Sequence, residues 1–159
     1  MSEYSNKSEI DMIYEQLSPR ANELYQFVIH YNEYMKQPRD YDGSGELINM
    51  VEIHILTIIE DQPGITVSQL AIKWGTTKGA VSQTLKKLEK KELIFRQNEN
   101  DNAKTIHLYP TEKGDRLSTA HKSYDNADIL QTQHELLRSC TLEEVDTFYK
   151  VVHEYIKLF

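Results

Sequence analysis

The stretch Ile65–Lys91, ITVSQLAIKWGTTKGAVSQTLKKLEKK, constrains the chain more than any other, because two helix starts and one enforced stop fall within it. Thr66 is a good N-cap residue with Gln69 three positions on, the spacing at which each side chain satisfies a backbone donor of the other. Ile65 and Leu70 flank the pair as a hydrophobic staple. The helix so begun has to end near Trp74, because Gly75 supplies the backbone freedom of a sharp turn and Thr76 and Thr77 can cap a second helix at once. In that second helix Val81, Leu85 and Leu88 recur at i, i+4 and i+7 and make a buried stripe. Ala71 and Gly75 supply small residues where two steeply crossed helices meet, and Val81 supplies the apolar anchor. The pattern is that of a helix-turn-helix.

The side opposite the stripe carries Gly79, Gln83, Lys86 and Lys90, with Ser82 and Lys78 on its flanks. Small, amide and cationic groups suit a helix that faces a nucleic-acid groove, although any solvated helix also turns Lys and Gln outward. The residues after Lys91 narrow the choice. Leu93, Ile94 and Phe95 begin a β-rich run, Gln97 to Ala103 has the composition of a loop, and Ile106 and Leu108 restore alternation. A hairpin here makes the motif winged, so the expected class is mainly α with a small β-hairpin wing.

From about Ile48 to Leu117 the residues resemble the MarR family of bacterial transcription regulators. The likeness is carried by the helix ending IIEDQPG, the run TTKGAVSQTLKKLEKKELI, the wing, and the closing TEKG. The resemblance implies a winged helix-turn-helix with N- and C-terminal dimerisation helices, in which the first and last helices of two copies intertwine into a homodimer. Two recognition helices would then lie about one turn apart on a palindrome-like site in double-stranded DNA. It also implies a regulator, most often a repressor, whose affinity responds to a small-molecule effector bound between the dimer helices and the winged unit.

The helix faces and the resemblance together nominate Ser68, Gln69, Thr76, Thr77, Lys78, Gly79, Ser82, Gln83, Lys86, Arg96, Asn102 and Lys104 as DNA contacts. Tyr25, Tyr31 and His54 are the candidate effector residues, with Tyr34 beside the first two. Two positions depart from the family. Where its wing commonly has Asp, any residue, then Arg, this chain has Asn102, Ala103 and Lys104, with Asp101 just outside the register. Gln83 stands where many members have Arg, a change from a guanine-reading to an adenine-reading side chain.

The net charge of -7 looks wrong for a DNA binder until it is resolved along the chain. Thr66 to Lys104 holds eight Lys or Arg against four acids, whereas the remaining residues hold ten bases and twenty-one acids. A polyanion is attracted to the first set and repelled by the second, which orients docking as well as driving it. At 159 residues with 39% hydrophobic side chains, one good core is expected, without a membrane span or a signal peptide. Cys140 is alone, which excludes an intrachain disulfide and fits a reducing, cytoplasmic setting.

The expected organisation is a single domain over 1–159, with the winged unit at about 47–110 and helical dimerisation regions at about 9–37 and 112–159. Ser18 before Pro19 reads as the start of a new helix after a short one. Leu47 to Glu60 reads as a buried helix, with Ile48, Val51, Ile55, Ile58 and Ile59 on one broad face. Thr111 caps a helix from Glu112 to about Arg138, and Thr141 with Glu144 forms a second capping box. The last helix carries the apolar stripe Leu142, Val145, Phe148, Val152, Tyr155 and Ile156.

No nucleophile with its base, paired carboxylates or phosphate-cradling glycine loop is present, so no enzyme is expected. His54 and Glu52 stand two apart and point to different sides of a helix. His121 and His30 could join His54 only through tertiary contacts, and no local spacing supports a metal or a cofactor. Cys140 has only Arg138 as a nearby cation, with Glu143 and Glu144 following, a poor setting for a reactive thiol. Two alternatives stay open: a winged-helix module that contacts protein and not DNA, and a metal- or oxidant-sensing member of the same family.

Overall fold

A computed structural model describes the backbone of residues 7–99 and 102–158 and the side chains of residues 7–98 and 105–158. The elements run α1 (Lys7–Lys36), α2 (Met50–Asp61), β1 (Ile65–Thr66), α3 (Val67–Trp74), α4 (Lys78–Lys90), β2 (Ile94–Glu99), β3 (Asn102–Pro110), α5 (Glu112–Leu136) and α6 (Leu142–Ile156). The class is mainly helical with a small antiparallel wing, as the sequence implies.

Local chemistry sets the helix-turn-helix. Gln69 Oε1 accepts from the Thr66 amide at 2.9 Å and Thr66 Oγ1 accepts from the Gln69 amide at 3.3 Å, closing the capping box. Gly75 takes a left-handed φ of 67°, which a Cβ would disfavour, and its N–H bonds the Ile72 carbonyl at 3.2 Å. Thr77 Oγ1 accepts from the Ala80 amide at 3.2 Å and starts α4. Leu70, Ala71, Val81, Leu85 and Leu88 then bury themselves against Ile53, Ile55, Leu56 and Ile59 of α2, with Leu93, Leu108 and Leu117 closing the same core. Each fully buried aliphatic chain contributes about 1.5–3 kcal/mol.

The sheet has the order β1-β3-β2, with Ile65 opposite Leu108, Thr66 opposite His107, and Ile94 to Asn98 paired with Pro110 to Ile106. Strand β1 is too short to announce itself by alternation. The hairpin also reaches further than its composition suggests, β2 to Glu99 and β3 from Asn102, inside the stretch expected to be loop. Backbone hydrogen bonds of a ladder form whatever the side chains, and Gln97 and Asn98 are exposed, so their polarity costs nothing there.

Three helix boundaries differ from expectation. Ser18 does not start a helix, because α1 runs through Pro19 for 30 residues without interruption. One missing N–H removes one bond of a ladder that long regular flanks sustain on both sides. Helix α2 begins at Met50 and not at Leu47, since Ile48 is engaged in a two-way backbone bridge with Arg39 (2.9 and 3.0 Å) and Asn49 Oδ1 caps by accepting from the Glu52 amide at 2.9 Å. Helix α5 ends at Leu136, two residues short of Arg138. The Thr141–Glu144 box opens α6, with the Thr141 amide donating to Glu144 Oε2 at 2.7 Å.

No residue of α1 is buried, and α6 buries only Val145. The core therefore belongs to α2–α4, the N-terminal part of α5 and the wing, while α1, the rest of α5 and α6 carry large apolar groups in the open, among them Tyr25, Phe27, Val28, Ile129, Leu130, Phe148 and Ile156.

Two backbone positions at the α4–β2–α5 junction give opposite tests. Glu92 ends α4 with a φ of 59°, a conformation that strains a side-chain-bearing residue. Glu92→Gly should raise stability by about 0.5–1 kcal/mol in urea unfolding. At Gly114 an added Cβ would collide with the Leu93 carbonyl, so Gly114→Ala should lower stability by about 1–3 kcal/mol in the same measurement.

Candidate functional site

Helix α4 is the element most fully prepared to meet another molecule. Its stripe Val81, Leu85 and Leu88 is fully buried, which fixes the roll of the helix and leaves Gly79, Gln83, Lys86 and Lys90 outward and exposed to differing degrees. At about 100° per residue, Lys78, Ser82 and Glu89 fall on one flank of that outward face and Lys87 and Lys91 on the other. Thr77 caps the N-terminus, so its free amides and positive dipole end face solvent. Because Gly79 has no side chain, the backbone there can be approached closely.

The basic residues counted together in the sequence divide into two groups. Lys87 and Lys91 reach back to Glu52 of α2, at 3.2 and 2.9 Å, and Lys91 also donates to the Leu47 carbonyl at 2.6 Å. Glu52 is buried, which alone would raise its pKa, but the hydrogen bonds and charges of Lys91 and then Lys87 outweigh this and hold it below the ordinary carboxylate value. On the opposite flank Arg96 of β2 grips Glu89 with both arms of its guanidinium, Nε to Oε1 at 2.6 Å and Nη2 to Oε2 at 3.0 Å. Among the described residues Lys78, Lys86 and Lys90 have no ion-pair partner. Lys73 of α3 also has no ion pair among the described residues and donates to Gln62 Oε1 at 3.4 Å, so the free positive charge of α4 itself lies along its outward side.

Of the other nominated positions, Ser82, half buried, and the exposed Gln83, Lys86, Lys78, Gly79, Thr76 and Thr77 come together on one surface at the turn and along α4. Gln69 is exposed but its amide oxygen is occupied by Thr66, and Ser68 is half buried beside it. Arg96 is committed to Glu89 and is not a free contact in this state. The side chains of Asn102 and Lys104 lie outside the described residues.

A second polar assembly joins α2 to α5, the junction between the winged unit and the outer helices. Ser118 is fully buried and donates to Thr57 Oγ1 at 3.0 Å, and Lys122 binds both Glu60 and Asp61. Those hydrogen bonds, to Asp61 first and Glu60 second, raise the Lys122 pKa. One turn away His121, 1% exposed, lies 3.2 Å through Nε2 from Asp125 Oδ2 and edge-on to His54, with ring centroids 4.7 Å apart. Burial depresses the His121 pKa despite Asp125, with His54 adding to the depression, so the ring is neutral at pH 7. His121 Nδ1 is buried without a hydrogen-bond partner.

Ligand atoms of His54, His121 and Asp125 all fall within 4.8 Å of one another. Two imidazoles and a carboxylate form a donor set able to hold a divalent ion with a position left open. Sequence spacing concealed this cluster, because its members lie on two helices; only the i, i+4 pair His121 and Asp125 left a trace. Glu52 turns away from His54 toward the lysines, and His30 is not part of the cluster.

Tyr25 and Tyr31 are exposed on α1, and Tyr31 stacks between Phe27 and Tyr34 at centroid distances of 5.7 and 6.0 Å. Within one chain they do not converge with His54, whose ring neighbours are Trp74 and His121. Tyr34 is the tyrosine that links α1 to α5. Its hydroxyl donates to Asp128 at 3.0 Å, and burial together with that bond pushes its pKa up to about 12. Cys140 is exposed.

Residues 48–106 match the model of the MarR family. The chain is 35% identical over 82 residues to YhjH of Bacillus subtilis (strain 168), described as an uncharacterized HTH-type transcriptional regulator, which is 52% of this chain and 47% of YhjH. The match thus spans about half the length of that relative. It is 25% identical over 141 residues to the HTH-type transcriptional regulator PchR of the same organism, 83% of each chain. Among solved structures, wild-type Lactococcus lactis ZitR in complex with DNA aligns with a TM-score of 0.65 at 21% identity, over 90% of this chain and 97% of ZitR. ZitR is also described as a zinc-responsive MarR family member. At that identity the likeness establishes the fold. No helix among the described residues is long and apolar enough to cross a membrane.

The Glu52 cluster gives a test through pH. A carboxylate whose folded pKa lies below its unfolded value of about 4.3 stabilises the fold above that value, and the contribution is lost as pH falls through the folded pKa. Glu52→Gln should cost about 1–2 kcal/mol at pH 7, the Lys87 side chain being largely exposed, with the difference from the parent shrinking toward pH 3 in urea unfolding.

Proposed function

We propose that this chain, a member of the MarR family through its winged unit, is a homodimeric, non-enzymatic transcription regulator of the cytoplasm that binds a palindrome-like site in double-stranded DNA. Repression is the mode we assign. The observation that carries this reading is the state of α4: its roll is fixed by a buried stripe, its N-terminus is capped and exposed, and its outward lysines are unpaired among the described residues. A single helix fits the major groove, where Gln83 can pair bidentately with adenine and Ser82 lies beside it. Lys78, Lys86 and Lys90 supply phosphate attraction that carries no sequence information.

The same reading accounts for the outer helices. A 30-residue helix without one buried residue gains little from tertiary packing in a lone chain beyond contacts such as Tyr34 with Asp128 and Phe27 with Phe148, and an amphipathic helix in water needs a partner for its apolar face. A second copy supplies it, and two-fold symmetry then matches a two-fold site. A winged module that contacts only protein has no use for unpaired lysines along the α4 face.

For the effector, a second reading is favoured by the convergence of His54, His121 and Asp125: a divalent ion of the zinc(II) type, held between α2 and α5. The neutral state of His121 suits it as a ligand, and its position at the junction of winged unit and outer helices lets binding alter the angle between them. The description of ZitR as zinc-responsive agrees with this reading without carrying it. A small organic effector at Tyr25, Tyr31 and His54 of the assembled dimer is the alternative.

Selection of bound duplexes from a random pool, followed by affinity measurement, tests the main reading. Gln83→Ala should cost about 1–3 kcal/mol on the selected site and much less on random DNA. Equal losses on both would make Gln83 a phosphate contact, and failure of the parent to select any sequence would overturn the reading. For the effector, equilibrium dialysis with zinc chloride should give one tight ion per chain in the parent and none in His121→Ala; equal uptake by both would rule out the proposed site.

A further inference from the structure

Glu89 is an anomaly for a DNA-reading surface. It lies on the same flank of α4 as Lys78 and Ser82, where an open carboxylate would face the phosphate backbone. It is not open, because Arg96 covers it with a bidentate grip at 2.6 and 3.0 Å. That geometry joins the wing strand to the recognition helix through side chains seven residues apart in sequence. On the opposite flank Lys87 and Lys91 fasten the same two turns of α4 to Glu52. The C-terminal half of the helix is therefore held from both sides, while the half with Gly79, Ser82 and Gln83 is left free to read.

We propose that Arg96 and Glu89 are positioning residues for DNA recognition: Arg96 sets the angle between wing and recognition helix and at the same time masks the Glu89 carboxylate on the reading flank. A planar fork suits this role, because two parallel bonds fix orientation as well as distance, which an ammonium point charge cannot do. The arginine then contributes to binding through Glu89 and not through a phosphate. Wing and helix contacts lie on one duplex, so their relative angle decides whether both register with the same site. The inference rests on the DNA-binding reading for its affinity measurements and stands apart from it in the free protein.

The test is a double-mutant cycle with Arg96→Ala, Glu89→Ala and the pair, together with Arg96→Lys. The probe is a fluorescent duplex bearing the sequence the parent selects from a random pool, with a scrambled duplex beside it. Arg96→Ala should weaken binding to the selected duplex about tenfold by misplacing the wing and exposing Glu89, and Glu89→Ala should weaken it a few-fold, effects in the usual range for charge-assisted pairs. The double variant should be no worse than Arg96→Ala, and Arg96→Lys should behave like the alanine variant despite its charge. The ratio of selected to scrambled affinity should fall in every case.

If instead Glu89→Ala binds both duplexes more tightly, and Arg96→Ala still costs tenfold in that background, Arg96 is a phosphate contact and the proposal is wrong. In the free protein, hydrogen exchange of the β2 amides from Arg96 to Asn98 should quicken several-fold in all four variants while α2 amides keep the parent rates. Unchanged β2 exchange would refute the bracing role whether or not any DNA binds. Selection of no sequence by the parent, with quickened β2 exchange in the variants, would sink the DNA-binding reading and leave the brace standing.

Discussion

The packing of Val81, Leu85 and Leu88 of α4 against α2 is the contact on which everything else depends. It fixes which side of α4 faces outward, and with it the surface made by Gly79, Ser82, Gln83, Lys86 and Lys90. Apolar burial is strong but not directional, so a stripe of three aliphatic residues alone would tolerate some rotation. Directional ion pairs on both flanks restrict it: Glu52 with Lys87 and Lys91 on one side, Glu89 with Arg96 on the other. Burial thus supplies the energy and the charge pairs supply the angle.

The electrostatics derive from that division. A chain with a net charge of -7 can still present a cationic face, provided its acids are elsewhere or neutralised. Glu52 is buried under lysines and Glu89 is covered by arginine, so neither carboxylate opposes an approaching polyanion. The lysines that do this are paired with Glu52, and those of α4 without an ion pair among the described residues concentrate along the outward face of the helix. The α2–α5 seam has a different character. Its buried Ser118 and neutral His121 make it a polar junction, the kind of contact that a bound ion or a changed angle can rearrange.

Much of this was legible in the sequence wherever a local rule determined the outcome. Thr66 with Gln69, Gly75, Thr77 and Thr141 with Glu144 act within four residues, and each cap forms at its expected place. The α4 stripe came from its period. Features that depend on distant partners were not legible. Nothing near Ile65 and Thr66 signals a strand, because their partners Leu108 and His107 lie far along the chain, beyond the whole helix-turn-helix. Arg96 reads as a cation of the wing by its charge and place, and only the folded chain brings its guanidinium onto Glu89. His54, His121 and Asp125 form one cluster across two helices. Pro19 misled for the opposite reason: a local rule marked a helix start, and the long regular helix around it prevailed.

The proposed second copy bears most on the outer shell, since no residue of α1 is buried and α6 buries one. Sedimentation equilibrium across nanomolar to micromolar protein, with and without one equivalent of the selected duplex, tests this directly. Without the duplex a particle of twice the 18.6 kDa chain mass is expected at every concentration, and with it a particle of two chains plus one duplex. A folded particle of single-chain mass at micromolar concentration, or one chain bound per duplex, would contradict the dimeric reading.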